Sequence, residues 1–223
     1  MIKENIIEKK LRAKKILVLL KKNYPDVPEL FLDYTTNAQM LCSIILSAQS
    51  TDAQINKITE KLFKKYRTVN DFASAKKSVF EKEIFSAGYY RQKTKNIILC
   101  FKKIESDFGG KVPSSMEELV SLPGVGRKTA NLVLLSKGNI SGIAVDTHVF
   151  RLSKRIGFSM AKNPLNAEKD LIECFDKKEW ANINRLFISH GRAVCTAKKA
   201  FCSKCFLDKK KLCPKIGVHN KQC

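Results

Sequence analysis

The sequence predicts an all-α protein. Apolar residues recur at the three- and four-residue spacing of amphipathic helices along most of the chain, and no segment shows a convincing strand pattern. Proline and glycine interrupt this periodicity repeatedly, as expected where one helix ends and another begins. With 223 residues, the chain is long enough for one large domain or two small ones with hydrophobic cores.

The first segments have recognisable helical faces and ends. Ile7, Leu11 and Val18 fall on one stripe of an N-terminal helix, and Pro25 and Pro28 break the chain after it.

The next segments predict a buried helix followed by an amphipathic one. Residues 37–49 are mostly apolar, and Thr51 can cap the helix that follows. The apolar positions of that second helix are Ile55, Ile58, Leu62 and Phe63.

Three further helical segments precede residue 122. A weaker helical signal runs from Phe72 to Phe85. Ser114 and Glu117 form a possible capping box for a short helix ending near Ser121. Between these two segments lies a strongly amphipathic helix that Gly109 and Gly110 end, with Ile97, Phe101, Ile104 and Phe108 on its apolar face.

Residues 122–130 have the sequence LPGVGRKTA and predict a helix-hairpin-helix. Gly124 and Gly126 allow backbone conformations closed to other residues and expose amides, and the new helix presents its unpaired N–H groups and positive dipole end. A DNA phosphate is the natural ligand for such a turn. An ordinary glycine-rich connection between two helices is the competing interpretation.

Two residues near this hairpin are candidates for chemistry. Lys128 follows Arg127 in the first turn of the new helix, where nearby positive charge and the helix dipole favour loss of a proton. A neutral amine can attack a sugar carbon and form a Schiff base. The competing interpretation is a solvated lysine that contacts phosphate. Asp146 stands at a predicted helix start, where it can be an N-cap or a carboxylate that accepts a proton and stabilises a cationic sugar.

Four cysteines with the spacing C-x6-C-x2-C-x7-C predict a metal site. No signal peptide or membrane span is recognisable, so we expect a reducing cytosol, where grouped thiols favour metal over disulfides. Structural zinc and an iron-sulfur cluster both remain open on spacing alone. Buried unliganded thiols are disfavoured, because lysines separate these four residues. They are Cys195, Cys202, Cys205 and Cys213.

The charge balance predicts a polyanionic partner. The chain has 42 Lys and Arg against 21 Asp and Glu, for a formal net charge of +21 at pH 7. From residue 195 to the end, eight lysines accompany one acid, Asp208. A metal-stiffened basic loop carrying Lys198, Lys199 and Lys204 can hold phosphates in a fixed register.

Taken together, these motifs resemble the endonuclease III family, the helix-hairpin-helix DNA glycosylases and AP lyases of base excision repair. The resemblance runs from about Pro28 to Cys213. It includes LSAQSTD at 46–52, the hairpin at 122–130, VDTHVFR at 145–151, HGR at 190–192 and the four cysteines in order.

The resemblance implies two helical domains with a DNA groove between them. Residues 30–140 would form a six-helix domain with the hairpin, and residues 1–29 and 141–223 a cluster-bearing domain. Lys128 would be the nucleophile that attacks C1′ of the damaged nucleotide, and Asp146, on the opposite side of the groove, the catalytic carboxylate. The four cysteines would bind a 4Fe-4S cluster in the loop at about 195–213.

The implied activity is bifunctional. The chain would remove oxidised pyrimidines from double-stranded DNA and cut the strand 3′ to the abasic site by β-elimination. A cytoplasmic monomer, nucleoid-associated if bacterial, is expected. Gln49 matches the residue that fills the gap left by the flipped base. Tyr89, after Gly88, stands where the family often has a leucine wedge, which leaves the opposite-base preference open.

The spacing of the last two cysteines departs from the family pattern. Seven residues separate Cys205 from Cys213 where five are common, so we expect a longer external loop around Lys209–Lys211. His148 and His190 are read as hydrogen-bonding and packing residues.

Two rival functions share parts of the pattern. Monofunctional adenine or mismatch glycosylases share the hairpin, aspartate and cluster but generally lack a lysine at the position of Lys128. A non-catalytic DNA-binding module gives no reason for Lys128 and Asp146 to occur together.

Overall fold

The computed structural model describes residues 4–218, which form twelve α-helices and no β-strand. An isolated antiparallel bridge joins Cys195 and Ala200. The predicted all-α class is therefore confirmed. The helices are α1 (Ile6–Asn23), α2 (Asn37–Leu46), α3 (Asp52–Lys65), α4 (Val69–Ala73), α5 (Lys77–Glu83), α6 (Tyr90–Asp107), α7 (Met116–Val120), α8 (Arg127–Ser136), α9 (Thr147–Ile156), α10 (Pro164–Cys174), α11 (Trp180–Ala193) and α12 (Phe206–Lys209).

The chain forms two compact helical units, as predicted. One is Leu30–Ser141, which contains α2 to α8, and the other combines the segments before and after it. Among the described residues, no helix combines the length and apolar character needed to cross a membrane.

Helix α2 is the central element of the Leu30–Ser141 unit. Nearly all of its residues are buried, and it packs against α3, α6 and α8. The Thr36 hydroxyl accepts from the backbone N–H of Gln39 and so caps its first turn. The helix ends at Leu46, earlier than the predicted segment 37–49, so Gln49 lies in the turn that follows.

The helix ends in this unit follow local side-chain hydrogen bonds. Thr51 caps α3, as predicted, by accepting from the backbone N–H of Gln54. The cap of α7 is Ser115, whose hydroxyl accepts from the backbone N–H of Glu118 and donates to its carboxylate. The predicted capping box at Ser114 and Glu117 was therefore wrong by one residue.

The single helical signal predicted over Phe72–Phe85 is in fact two helices. A capping box between Thr68 and Asp71 starts α4. That helix ends when the N–H of Ser74 bonds back to Asn70 O at 2.9 Å, and α5 begins only at Lys77. The apolar spacing continues across the break, which explains why periodicity alone missed it.

Stacked aromatic rings fix α4 and α5 onto α6. The ring centroids of Phe72 and Phe101 lie 4.5 Å apart at an interplanar angle of 19°, and Phe80 is fully buried beside them. At the end of α6, Gly110 N bonds to Ile104 O at 3.0 Å, and Gly109 and Gly110 have positive φ values of 55° and 73°. The predicted stop at these glycines is confirmed.

The second unit has its own core, built from α1 and α9 to α12. Within α1 the buried residues include Ile16, Leu17 and Leu20. The stripe read from the sequence is instead the exposed face, since Ile7, Leu11 and Val18 expose 67%, 57% and 61% of their surface. The largest buried side chains of this core are Phe158, Phe187, Ile16 and Leu20.

Arg12 ties α1 to two distant parts of this unit. Its guanidinium donates to Ile156 O at 2.7 Å and to Leu212 O at 3.1 Å, and it lies 4.8 Å from the centroid of Phe158. It also pairs with Glu4. The end of α9 and the cysteine-containing loop are therefore fixed to the same helix.

Candidate functional site

The hairpin between α7 and α8 requires glycine at one of its two glycine positions. Gly124 has φ +79°, and a Cβ there would lie 2.8 Å from Cβ of Asn96 on α6. Gly126 has an ordinary φ of −93°, and a Cβ there would meet nothing within 4 Å. The prediction of a special backbone conformation is thus confirmed at Gly124 and wrong at Gly126.

Gly126 matters instead as the N-cap of α8. It offers no side chain to cap the helix, and Gly126, Arg127 and Lys128 are all exposed. The first-turn N–H groups of a helix have no intrahelical acceptors and carry the positive end of its dipole. The buried residues from Ala130 to Leu135 hold the helix in place. This end of α8 is therefore suited to bind an anion.

Gln49 and Tyr89 lie in two exposed turns of the same unit. Both have left-handed backbone conformations, with φ of 55° and 48°, and Gly88 precedes Tyr89 with φ 66°. Tyr89 exposes 70% of its surface. Phe85, which the sequence did not single out, is 65% exposed and lies 4.9 Å from the ring of Tyr90. Exposed aromatic rings of this kind can stack on bases.

Asp146 is the N-cap of α9 in the second unit. Its Oδ1 accepts from the backbone N–H of Val149 at 2.8 Å. The buried run Ile143–Val145 anchors the chain just before it. One turn into α9, His148 Nδ1 and the Arg151 guanidinium are 3.1 Å apart, in keeping with the hydrogen-bonding role expected for this histidine.

Helix α9 also holds the start of the cysteine-containing loop. Arg151 Nε donates to Cys195 O at 3.2 Å, and Arg155 donates to Thr196 O at 2.7 Å and to Cys195 Sγ at 3.2 Å. One helix thus presents Asp146 at its N-terminus and fixes the loop near its C-terminus.

The four predicted cysteine ligands line one cavity, together with His190 and Phe201. Burial raises the pKa of Cys213 to about 11 and also raises that of Cys205. Such thiols stay protonated unless a cation replaces the proton. The donor set is soft, as both zinc and iron-sulfur clusters require.

Three of the four cysteines that line the cavity are free thiols in the described structure. They are Cys195, Cys205 and Cys213. Within residues 4–218, no three His, Cys, Asp or Glu side chains are grouped to hold one metal ion. In a 4Fe-4S cluster each cysteine binds a different iron atom, so its four ligands do not have to group around a single ion.

His190 closes one side of the cavity. It is 2% exposed, with Nδ1 3.0 Å from the Tyr24 hydroxyl and Nε2 3.5 Å from Cys205 Sγ. Burial lowers the pKa of His190 to about 4, so the ring is neutral near pH 7. This geometry matches the packing role expected for it.

The lysines of the loop differ in their surroundings. Lys198 and Lys204 are exposed, while Lys199 is partly buried, with Nζ 5.3 Å from the centroid of Phe201. Thr196 Oγ1 accepts from Lys199 N at 3.1 Å and donates to Lys199 O at 2.6 Å, which fixes the turn. Lys209, at the end of α12, and Lys210 and Lys211 after it are exposed.

Comparison with known proteins identifies the family. Residues 42–177 match the model of the HhH-GPD superfamily base excision DNA repair proteins. Endonuclease III of Synechocystis sp. is 46% identical over 207 residues, which cover 92% of this chain and 93% of that protein. The chain belongs to the endonuclease III family.

Two solved structures extend the family match to the fold. They are a non-covalent endonuclease III–DNA complex and a trapped endonuclease III–DNA covalent intermediate, an estranged-adenine complex. Both have a TM-score of 0.86, 38% identity and 92% coverage of this chain, with 95% and 96% of those chains covered. Endonuclease III membership confirms the predicted class of activity, a DNA glycosylase and AP lyase acting on double-stranded DNA.

Proposed function

We propose that this chain excises oxidised pyrimidines from double-stranded DNA and cuts the strand 3′ to the resulting abasic site, with Lys128 as nucleophile and Asp146 as catalytic carboxylate. The observation that carries the proposal is the exposed Lys128 amine in the first turn of α8, two residues after Gly126, an N-cap that has no side chain to cover the helix end. A phosphate bound at that helix end would bring the sugar of a DNA strand to the amine. Support comes from a family member that has been trapped covalently on DNA.

The proposed reaction needs only the chain's own groups and water. The Lys128 amine attacks C1′, the bond from C1′ to the base breaks, and the base leaves with the bonding electrons and takes up a proton. Opening of the sugar then gives a Schiff base between C1′ and the amine. Loss of a C2′ proton drives cleavage of the C3′–O bond, and hydrolysis of the imine releases the enzyme.

Asp146 supplies the negative charge that this sequence of steps requires. It accepts a proton from the attacking amine and stabilises the positive charge that develops on the sugar as the base leaves. Its position as the N-cap of α9 fixes one of its oxygens to Val149 N. A carboxylate held by a helix end loses little freedom when the substrate arrives.

The remaining predicted residues bind and shape the DNA. Gln49 and Tyr89 fill the space left by the flipped base and wedge the opposite strand, and Gly124, Gly126 and Arg127 contact phosphate. In the cysteine-containing loop, Lys198, Lys199 and Lys204 contact the backbone. We place the chain in the cytoplasm, with the nucleoid if its source is bacterial.

Cys195, Cys202, Cys205 and Cys213 would hold a 4Fe-4S cluster. The cluster would supply cross-links that fix the lysines of the loop, and no step of the reaction passes through it. Support comes from the shared cavity, the soft donors and the Arg155 guanidinium, which lies 3.2 Å from Cys195 Sγ.

Borohydride trapping tests the nucleophile. The wild-type chain, incubated with a duplex carrying one thymine glycol and then reduced, should give a covalent protein–DNA adduct. Lys128→Gln should give none while still binding DNA. Arg127→Ala is the matched control: it removes the adjacent cation but keeps the amine, so it should bind more weakly and still form the adduct.

Two results would contradict the proposal. An adduct of undiminished yield with Lys128→Gln would remove this lysine from its role. Release of free base without any adduct in the wild type would indicate a monofunctional glycosylase instead.

A further inference from the structure

A buried lysine connects the two turns that carry Gln49 and Tyr89. Lys93, in the first turns of α6, is only 6% exposed. Its Nζ donates to Ser50 Oγ at 2.9 Å and to Ala87 O at 2.6 Å. Ser50 follows Gln49 directly, and Ala87 lies two residues before Tyr89.

Further hydrogen bonds join the same two turns. Ser50 Oγ donates to Ala87 O, and the Gln54 side-chain amide donates to Ser86 O. The Lys93 ammonium is therefore the centre of a hydrogen-bond network that spans both turns.

This network offsets an energetic cost at the exposed tips of the two turns, Gln49 and Tyr89. Gln49 and Tyr89 have φ values of 55° and 48°, in the left-handed region that is unfavourable for residues with a side chain. Such conformations persist only where surrounding contacts enforce them. The contacts of Lys93 with Ser50 and Ala87 provide that enforcement beside each tip.

Burying the ammonium is itself unfavourable. Burial lowers the pKa of Lys93, and the group donates to a carbonyl and a hydroxyl rather than to a carboxylate. An apolar side chain of similar length would avoid this desolvation cost, so stability alone gives little reason for a lysine here.

We infer that Lys93 is a positioning residue that holds the Gln49 and Tyr89 turns in a fixed mutual arrangement, ready to enter the DNA stack when the damaged base leaves it. The inference rests on the proposed function of those two tips. Tips that are already ordered can fill the hole without the entropic cost of ordering two loops on binding. Lys93 then matters most where a paired, stacked base must be extruded, and little where no stack has to be filled.

The test compares two substrates that differ only in this requirement. One is a duplex with thymine glycol opposite adenine. The other carries the same lesion strand, but its partner strand lacks the nucleotides opposite the lesion, so no hole has to be filled on that side. Single-turnover base release is measured for each variant on both.

Lys93→Met keeps most of the aliphatic side chain and removes the ammonium. Lys137→Met is the matched control, because Lys137 in the same unit also donates from a partly buried ammonium to main-chain carbonyls, at 2.6 Å to Val112 O and 3.1 Å to Pro113 O. Those carbonyls adjoin no predicted DNA contact.

We expect Lys93→Met to slow excision from the intact duplex about tenfold or more and from the gapped substrate by less than about threefold, since it removes charge-assisted hydrogen bonds to both turns. Lys137→Met should change both rates by the same factor. Ser50→Ala, a milder change that leaves the Lys93–Ala87 bond, should show the same substrate preference with a smaller loss.

Equal slowing of Lys93→Met on both substrates, or no slowing on the intact duplex, would overturn the inference, as would a Ser50→Ala chain without any substrate preference. Trapping on a preformed abasic site separates this failure from failure of the proposed function. If the proposed function is wrong, the wild-type chain gives no adduct. If only the inference is wrong, the adduct still forms.

Discussion

Asp146 offers a clean separation of charge from helix capping. Its Oδ1 accepts from Val149 N at 2.8 Å as the N-cap of α9. Asparagine caps helices about as well as aspartate but carries no charge. Alanine has neither the capping group nor the charge. Asp146→Asn should therefore remove only the proposed catalytic carboxylate, and Asp146→Ala should remove the carboxylate and the cap together.

The free energies of unfolding of the two variants should differ by the contribution of one N-cap. Loss of an N-cap costs about 1 kcal/mol, and for a chain of this size that lowers Tm by about 2–4 °C. Asp146→Asn should stay within a few tenths of a kcal/mol of the wild type. Excision should fall about 10²- to 10⁴-fold in both variants, the usual contribution of a positioned general acid or base.

The measurements are thermal unfolding followed by circular dichroism and single-turnover release of thymine glycol from a duplex. An Asp146→Asn chain that excises within about threefold of the wild-type rate would show that the residue is a helix cap and no more. Equal loss of Tm in both variants would contradict the capping geometry.

The remaining predictions concern the hairpin and the cysteine cavity. Gly124→Ala should destabilise the fold by about 1–3 kcal/mol, because of the positive φ and the contact with Asn96, and urea unfolding measures this loss. Gly126→Ala should fold normally and weaken DNA binding, as measured by fluorescence anisotropy, because its methyl group would cover an open helix end. The reverse pattern would contradict this division of roles. After anaerobic reconstitution with iron and sulfide under reducing conditions, Cys213→Ser should fail to retain the iron-sulfur absorbance, whereas Cys174→Ser, buried in α10, should retain it. Retention by both variants would remove Cys213 from the ligand set.

Local rules predicted most helices and several of their ends. Thr51 and the Gly109–Gly110 pair were found correctly because capping depends on residues within one turn. The split between α4 and α5 was missed, since apolar spacing continues across Ser74 while the backbone does not. Periodicity reports which residues share a face, and it does not report where a helix stops.

The buried face of α1 shows a second limit. Apolar residues lie on more than one side of this helix, including the exposed Leu11 and the buried Leu17. Contacts with α10, α11 and α12 decide which side is covered. No pattern within eighteen residues contains that information.

The sequence by itself determined the helical class, the hairpin, the spacing of the cysteines and the identity of Lys128 and Asp146 as candidates, because each depends on short-range spacing and side-chain chemistry. Only the tertiary structure decided that Gly124 meets Asn96, that the four cysteines line one cavity, and that Lys93 joins Ser50 to Ala87. Lys93 and Ser50 are 43 residues apart in the chain. Their contact exists because α2 packs against both α3 and α6, and packing depends on the whole set of buried surfaces rather than on any one segment.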